Sequence, residues 1–470
     1  MEEYDFIVVG AGISGVDAAY RLKTQLPECS YIILEGRDEI GGTWSFFKYP
    51  GVRTDSAASM LGFPWRPWKH EQDMADGHLI REYVADAARD EGIDKKIRFK
   101  HQVTAANWSS EEQRWTLTVR AGGKEKELKT KFMMACTGYY DYTKPLQVEI
   151  PGIKRFQGLV VHPQFWPQDL DYSNKKVIII GSGATTITLV PEMAKTAGHV
   201  TMLQRSPSYI ADLPKTSPVG AWLKRTFPER LALTMRWCSF LEEYFFLVVL
   251  RTFPNLGRKL LTDEMKSLLP DKVDVSVHFN PAYQPWDQRL GMSRDGDFFK
   301  ALHRDNCEVV TDHIDTVTAD GILTKSGKKL EADIIVTATG LYVQLFGGFT
   351  PMVDGKTFDV GKSFAWRGAM ASGLPNVGLV TGYMMATWTL GADASINLLV
   401  RVWKHMQKIG ATSAVPVNEH DDLASSLPVA SQSSTYFVLA ESRMPRVTRQ
   451  SPVCSSSSFL YPQILNVITL

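Results

Sequence analysis

Two glycine-rich turns, each running out of a short apolar strand into a helix, constrain this chain more than anything else in it. The first is Gly10-Ala11-Gly12-Ile13-Ser14-Gly15, entered from the run Asp-Phe-Ile-Val-Val at residues 5–9 and followed by VDAAYRLKTQL. The second is Gly181-Ser182-Gly183-Ala184-Thr185-Thr186, entered from KKVIII at residues 175–180. Uninterrupted β-branched runs of this length read as strands buried on both faces, and the residues after each turn have helical spacing. A buried strand that turns through glycines into a helix opens a parallel βαβ unit. Two such openings predict an α/β chain with two Rossmann-like dinucleotide-binding domains. Its 470 residues suffice for roughly three domain-sized units with a large core.

The two turns differ in what they should hold. In the first, Gly10 permits the tight turn, Gly12 lets backbone approach a pyrophosphate, and Gly15 allows the helix to pack closely on the strand. The helix start, Ser14 included, then presents free N–H groups and a positive dipole to phosphate. Tyr31–Leu34 reads as the next strand, and it ends in Glu35, twenty residues after Gly15. A carboxylate there accepts hydrogen bonds from both ribose hydroxyls and repels a 2′-phosphate, which suits FAD or NAD. In the second turn Thr186 stands at the third glycine position, with Ile187 after it and Pro191 expected to bend the helix. The following strand, HVTMLQRS, ends in Gln204-Arg205-Ser206 instead of an acid. Arginine and a hydroxyl at that edge suit the 2′-phosphate of NADP, because guanidinium pairs with phosphate through two hydrogen bonds. The asymmetry points to FAD at the first site and NADPH at the second.

Between them, Gly41–Ser56 (GGTWSFFKYPGVRTDS) reads as a long loop laid against a flat ligand, with Gly42, Thr43, Trp44, Ser45 and Phe46 at its start. IRFKHQVTAANW, RWTLTVRA and KELKTKFMMACTG read as a meander that returns to a buried strand at Phe132–Cys136. AGGKEK supplies a turn signal between the last two. From Arg205 to Arg289 only helix-rich stretches are expected, such as ERLALTMRWCSFLEEYFFLVVL.

Composition excludes several classes. The formal charge is +1, with no polybasic or acidic run, so no nucleic acid is expected as a partner. Five scattered cysteines (Cys29, Cys136, Cys238, Cys307, Cys454) lack CxxC spacing, which argues for a reducing compartment and against a disulfide framework or a metal site. The opening MEEYDFIVVGAG enters a strand at once and leaves no room for a signal peptide. Its most apolar run, residues 245–250, is far shorter than a transmembrane segment. A soluble, cytoplasmic protein is the expectation.

Between the two turns lies FQGLVVHPQFWP. Phe156, Gly158, His162, Trp166 and Pro167 match FxGxxxHxxxWP, and here the chain resembles the Baeyer–Villiger monooxygenases among the class B flavoprotein monooxygenases. Related N- and S-oxidising enzymes share the first part of that pattern and usually lack its Trp-Pro end. The resemblance extends through GGTWSFFKYPGVRTDS, GSGATTITLVP, VTMLQRSPSYI, PWDQRL and IIVTATGL, from Tyr4 to Pro452, and is nearest to the ethionamide-activating subgroup.

The resemblance implies an FAD domain from residues 1–143 and 341–450, an NADP domain from 144–211 and 287–340, and a helical insertion at 212–286. It implies that NADPH reduces the flavin, that reduced flavin takes up O2 as a C4a-peroxide, and that this attacks a small apolar ketone to give an ester or lactone. Sulfide or amine oxygenation stays open, as does a flavin-binding protein with a defective oxygenase site. Arg289 in PWDQRL matches the family's catalytic arginine and Asp55 the carboxylate that positions it, with Arg53 and Thr54 toward the nicotinamide. Val103 is carried over among the cofactor contacts, and His162 is expected to set linker geometry. Many members have Lys before that arginine; here it is Gln288, which leaves Arg205 to carry more of the NADP preference. The tail at 451–470, with its serine run, departs from relatives and suggests either a divergent end or a truncated form.

Overall fold

The computed structural model describes residues 1–216, 226, 229–383, 386–418, 426–429 and 433–447. It is an α/β structure with two parallel-strand cores. In the first, the strand Glu2–Val9 lies between Tyr31–Leu34 and Lys124–Ala135, parallel to both. Ile97–Arg98 extends the parallel side beyond Tyr31–Leu34, and Val377–Leu379 adds in parallel to the end of Lys124–Ala135. On the other side the sheet, nine-stranded among the described residues, continues antiparallel through Arg114–Ala121 and His101–Ser109.

Alternation explains why the central strand is apolar throughout. Phe6 and Val8 face a helical layer with Val16, Leu22, Val84 and Leu399, whereas Ile7 and Val9 face the meander with Trp108 and Trp115. The helices that supply the first layer are Ile13–Gln25, Gly77–Asp90 and Trp388–Ile409.

Two expectations change here. The meander's last strand and the buried strand at 132–136 are a single element, Lys124–Ala135. Its polar first half pairs with Arg114–Ala121 and its apolar end, Phe132–Ala135, runs between Glu2–Val9 and Val377–Leu379. The preceding turn is made by Gly122 and Gly123, both at positive φ (+58° and +76°), the hairpin geometry that glycine permits. IRFKHQVTAANW, by contrast, divides at Lys100, where a positive φ of 55° separates Ile97–Arg98 from His101–Ser109.

The second core is five parallel strands in the order Cys307–Thr311, His199–Gln204, Lys176–Ile180, Ile334–Thr337, Leu159–Val161. The second glycine turn leaves Lys176–Ile180, whose neighbours continue the chain in opposite directions. That is the switch point where doubly wound sheets open a ligand crevice. Pro191 lies inside the helix Ala184–Met193, which ends two residues later.

The stretch between Arg205 and Arg289 is not helical throughout. It opens with the strand Ile210–Leu213, which pairs in parallel with Gly291–Arg294 just beyond Arg289. Only then come Glu229–Thr252, with Arg236 buried, and Pro254–Leu268, which starts on a proline whose missing N–H costs a helix nothing at that position. Among the described residues no helix is long and apolar enough to cross a membrane. The tail at 451–470 lies outside the described residues.

The first turn rests on a contact with no slack: a Cβ at Gly15 would fall 1.9 Å from the Gly10 carbonyl oxygen. Gly15→Ala should therefore destabilise the fold by about 1–3 kcal/mol, as overpacking in cores does. A denaturant midpoint equal to wild type would contradict this.

Candidate functional site

Both glycine turns open into one cavity of about 1370 Å3. At the first, Gly10 has φ +105° and no room for a side chain, since a Cβ would lie 2.6 Å from the Cys136 carbonyl oxygen. Gly12 caps the helix Ile13–Gln25 without a side-chain hydrogen bond, so the helix keeps unpaired N–H groups for a ligand. Glu35 is buried at the end of its strand and held by two amides. Its Oε2 accepts from Ala11 N at 2.8 Å and its Oε1 from Arg37 N at 2.9 Å. Each oxygen retains a lone pair, so the carboxylate is both oriented and still able to accept from a ribose. Gly42, with φ +57°, would bring a Cβ to 3.0 Å from the Gly12 Cα. Thr43 and Tyr142 share a hydrogen bond of 3.1 Å, and burial pushes the Tyr142 phenol up to about 12. Small residues, a bare helix start and a fixed carboxylate together fit an FAD.

The second turn has the same construction with a different edge. Gly181 has φ +138°, and a Cβ there would lie 2.4 Å from the Ala338 carbonyl oxygen. A Cβ at Gly183 would meet nothing within 4 Å, which leaves the start of Ala184–Met193 accessible. Ser182 Oγ shares a 2.9 Å hydrogen bond with Ser208 Oγ. Arg205 is exposed at the cavity rim, and among the described residues its side chain makes a single long hydrogen bond, 3.4 Å from Nη2 to Thr435 Oγ1. A guanidinium so lightly held is free to exchange that hydroxyl for a phosphate, and the donor set fits NADP.

Arg289 reaches this same cavity from the loop before Gly291–Arg294, with Nη2 3.5 Å from Asp55 Oδ2. The Asp55 carboxylate raises an already high guanidinium pKa further, although desolvation opposes it. Arg289 therefore keeps its charge at any working pH. Three tyrosines surround it. Tyr140 donates to the Tyr139 hydroxyl at 2.9 Å, and burial raises the pKa of Tyr139, Tyr140 and Tyr436. These phenols stay neutral and line the cavity beside the guanidinium.

Of the predicted residues, Gly10, Gly12, Ser14, Glu35, Gly42, Thr43, Trp44, Phe46, Thr54, Asp55 and Val103 line the cavity, as do Gly181, Ser182, Gly183, Ala184, Thr185, Arg205 and Ser206. Ser14 Oγ accepts from the Trp388 indole N–H at 2.8 Å. Others stand behind the wall. Gly15 packs on Gly10, Ser45 accepts from Arg37 Nη1 at 2.8 Å, and Thr186 and Ile187 are fully buried, Ile187 against Gly291. Arg53 lines the cavity but spends its guanidinium on Asp297, through both Nη atoms. Sequence reasoning missed Tyr139, Tyr140, Trp388 and Tyr436. Only the position of Tyr139-Tyr140, immediately after the strand-closing Thr137-Gly138, could have drawn attention to them.

The fingerprint lies between the two cores. Gly158 admits the Phe156 ring, since a Cβ there would come 2.6 Å from it. Leu159–Val161 is the edge strand of the second sheet, Trp166 is buried in the second core, and Pro167 follows it. His162 Nδ1 accepts from Gln164 N at 3.2 Å, and the Gln164 side chain donates to the Asp141 carbonyl at 2.5 Å. Phe165 meets Phe46 edge-on at 6.2 Å, so the linker touches the back of the first nucleotide loop. Burial lowers the His162 pKa, opposed by the Gly340 carbonyl.

The family model described as "FMO-like: Flavin-binding monooxygenase-like" matches residues 4–267. The "FAD-containing monooxygenase EthA" of Mycolicibacterium smegmatis is 43% identical over 453 residues, 96% of this chain and 92% of that protein. The EthA of Mycobacterium tuberculosis is 42% identical over 461 residues, 98% and 94% of the two chains. Among solved structures, an open cyclohexanone monooxygenase superposes with a TM-score of 0.73 at 19% identity, covering 89% of this chain and 91% of that one. OTEMO in complex with FAD and NADP gives a TM-score of 0.72 at 22% identity, covering 88% of each. At such identities the superpositions establish the fold.

His162 supplies a pH test of the linker. Its folded pKa is depressed, so the unfolded chain binds the extra proton more readily, and stability falls as pH drops through the ordinary histidine range. Nδ1 cannot accept from Gln164 once protonated. Replacing His162 with Gln should flatten the loss of melting temperature between about pH 7 and pH 5. An unchanged pH profile would show that the ring is not a linker contact.

Proposed function

The chain belongs to the flavin-binding monooxygenase-like family, and on that premise we propose that it inserts oxygen beside the carbonyl of a small apolar ketone. It is an FAD-containing, NADPH-dependent monooxygenase. The finer reading is Baeyer–Villiger oxygenation: ketone, O2, NADPH and a proton give an ester or lactone, NADP+ and water. The observation that carries it is Arg289, a permanent cation backed by Asp55 in the cavity into which both glycine turns open. The Trp166-Pro167 end of the fingerprint favours carbonyl over sulfur or nitrogen as the acceptor. Flavin-dependent S- or N-oxygenation is the second reading, and the substrate's identity decides between them.

The first turn would hold the FAD pyrophosphate and Glu35 its ribose. The second turn, with Arg205 and Ser206, would hold the phosphates of NADPH. Bound flavin supplies the two-electron chemistry that activates oxygen. Arg289 then does what a preorganised charge does: it stabilises negative charge developing on oxygen, in a site where the ordering is already complete. Asp55 keeps a counter-charge beside the guanidinium, and the neutral phenols of Tyr139, Tyr140 and Tyr436 line the cavity next to it.

Two variants separate the roles. Arg205→Ala should raise KM for NADPH far more than KM for NADH, and equal effects would remove the 2′-phosphate assignment. Arg289→Ala should retain FAD but lose about two to three orders of magnitude in oxygen insertion. Arg289→Lys should recover only part of that, since it keeps the charge and loses the planar fork. Product per NADPH, followed over ketone and sulfide panels, is the deciding measurement. Wild-type coupling in Arg289→Ala would leave the arginine a structural role only.

A further inference from the structure

The loop that carries Asp55 is fastened to the segment that carries Arg289 at two further points. Arg53 and Asp76 face each other across an antiparallel bridge, so a cation and an anion stand side by side on one edge. Asp297 and Arg294 oppose them with the charges reversed. Arg53 holds Asp297 through both guanidinium Nη atoms, Nη2 to Oδ1 at 3.1 Å, and Arg294 Nη1 holds Asp76 Oδ1 at 2.5 Å. Asp297 Oδ1 also accepts from Arg294 N at 3.0 Å, which ties the two opposing partners together. Backbone contacts continue the seam: Asp73 N and Met74 N both donate to the Lys215 carbonyl, at 2.8 and 3.1 Å.

The pair at the cavity is looser. Asp55 and Arg289 meet at 3.5 Å, with side chains 31% and 40% exposed, whereas the Arg53 side chain is 2% exposed and that of Arg294 13%. An ion pair that open is too weak to hold its own geometry. A dry guanidinium, in contrast, is held hard to its carboxylate, because leaving it unpaired is costly. The crossed order of charges also selects one alignment, since a shifted seam would bring like charges together.

We propose that Arg53–Asp297 and Asp76–Arg294 form a crossed charge clamp that sets where Arg289 stands. Arg53, Asp76, Arg294 and Asp297 are then positioning residues for the reaction, and Arg53 is not a nicotinamide contact. In its kinetic part this rests on the role given to Arg289 above.

The test uses purified holoenzyme carrying Asp297→Asn, Arg294→Met or Arg294→Lys, and Asp297→Asn combined with Arg289→Ala. Anaerobic flavin reduction by NADPH, peroxide released per NADPH, KM and kcat are measured, with hydrogen exchange of the peptide spanning 288–296 as an independent readout. Asp297→Asn and Arg294→Met should slow turnover by roughly tenfold to a hundredfold, the cost of a small misplacement. Peroxide release should rise, exchange at 288–296 should quicken, and KM for NADPH should stay near wild type. Arg294→Lys should recover part of the loss. In the Arg289→Ala background Asp297→Asn should cost nothing more, because both act through one group. A further full loss in that background overturns the clamp, and so does a raised KM for NADPH at unchanged kcat. Should no ketone be oxygenated, the reading of function fails alone, because flavin reduction and hydrogen exchange still report on the clamp.

Discussion

A carboxylate from one nucleotide-binding unit and a guanidinium from the other meet across the cavity, and the rest of the structure serves that meeting. Asp55 lies on a loop of the first core, and Arg289 enters from the loop just before the strand Gly291–Arg294. At 3.5 Å, partly open to solvent, the contact contributes little to stability. Its importance is chemical: it sets a counter-ion beside a permanent positive charge where the two units meet. Tyr139, Tyr140 and Tyr436, all kept neutral by burial, line the cavity beside it.

Each core carries the same device, a glycine turn opening into a helix, at the cavity. Glycine is required at Gly10 and Gly181 by positive φ and by carbonyl oxygens that leave no space for a Cβ. Neither following helix has a side-chain cap, so both offer their first N–H groups outward. The units then differ at the next strand's end, with a buried Glu35 on one side and an exposed Arg205 on the other, which under the proposed function would distinguish a bare ribose from a phosphorylated one.

What the sequence made legible follows from this. The turns and their strand-end residues were readable because their chemistry is local, confined to a few consecutive positions. Arg289 and Asp55 were reachable only through resemblance, since they are 234 positions apart and nothing in either segment announces the other. The pairing of Arg53 with Asp297 was out of reach for the same reason, since the two residues are far apart in the chain. Tyr139 and Tyr436 likewise gain their meaning from a fold that brings distant segments around one cation. The strand Ile210–Leu213 escaped notice because its partner, Gly291–Arg294, lies beyond the helices that separate them.

The strand Lys124–Ala135 couples regions that look independent. It is the third strand of a peripheral meander and, without interruption, the neighbour of the central strand. The next residue is Cys136, whose carbonyl bounds Gly10. Side chains along a strand alternate between faces, so inserting or deleting one residue in its exposed half would invert every face downstream. Length variation tolerated at the Gly122-Gly123 turn should therefore be absent from the strand itself. Through Cys136, the spacing of a surface hairpin becomes part of the inheritance of the nucleotide site.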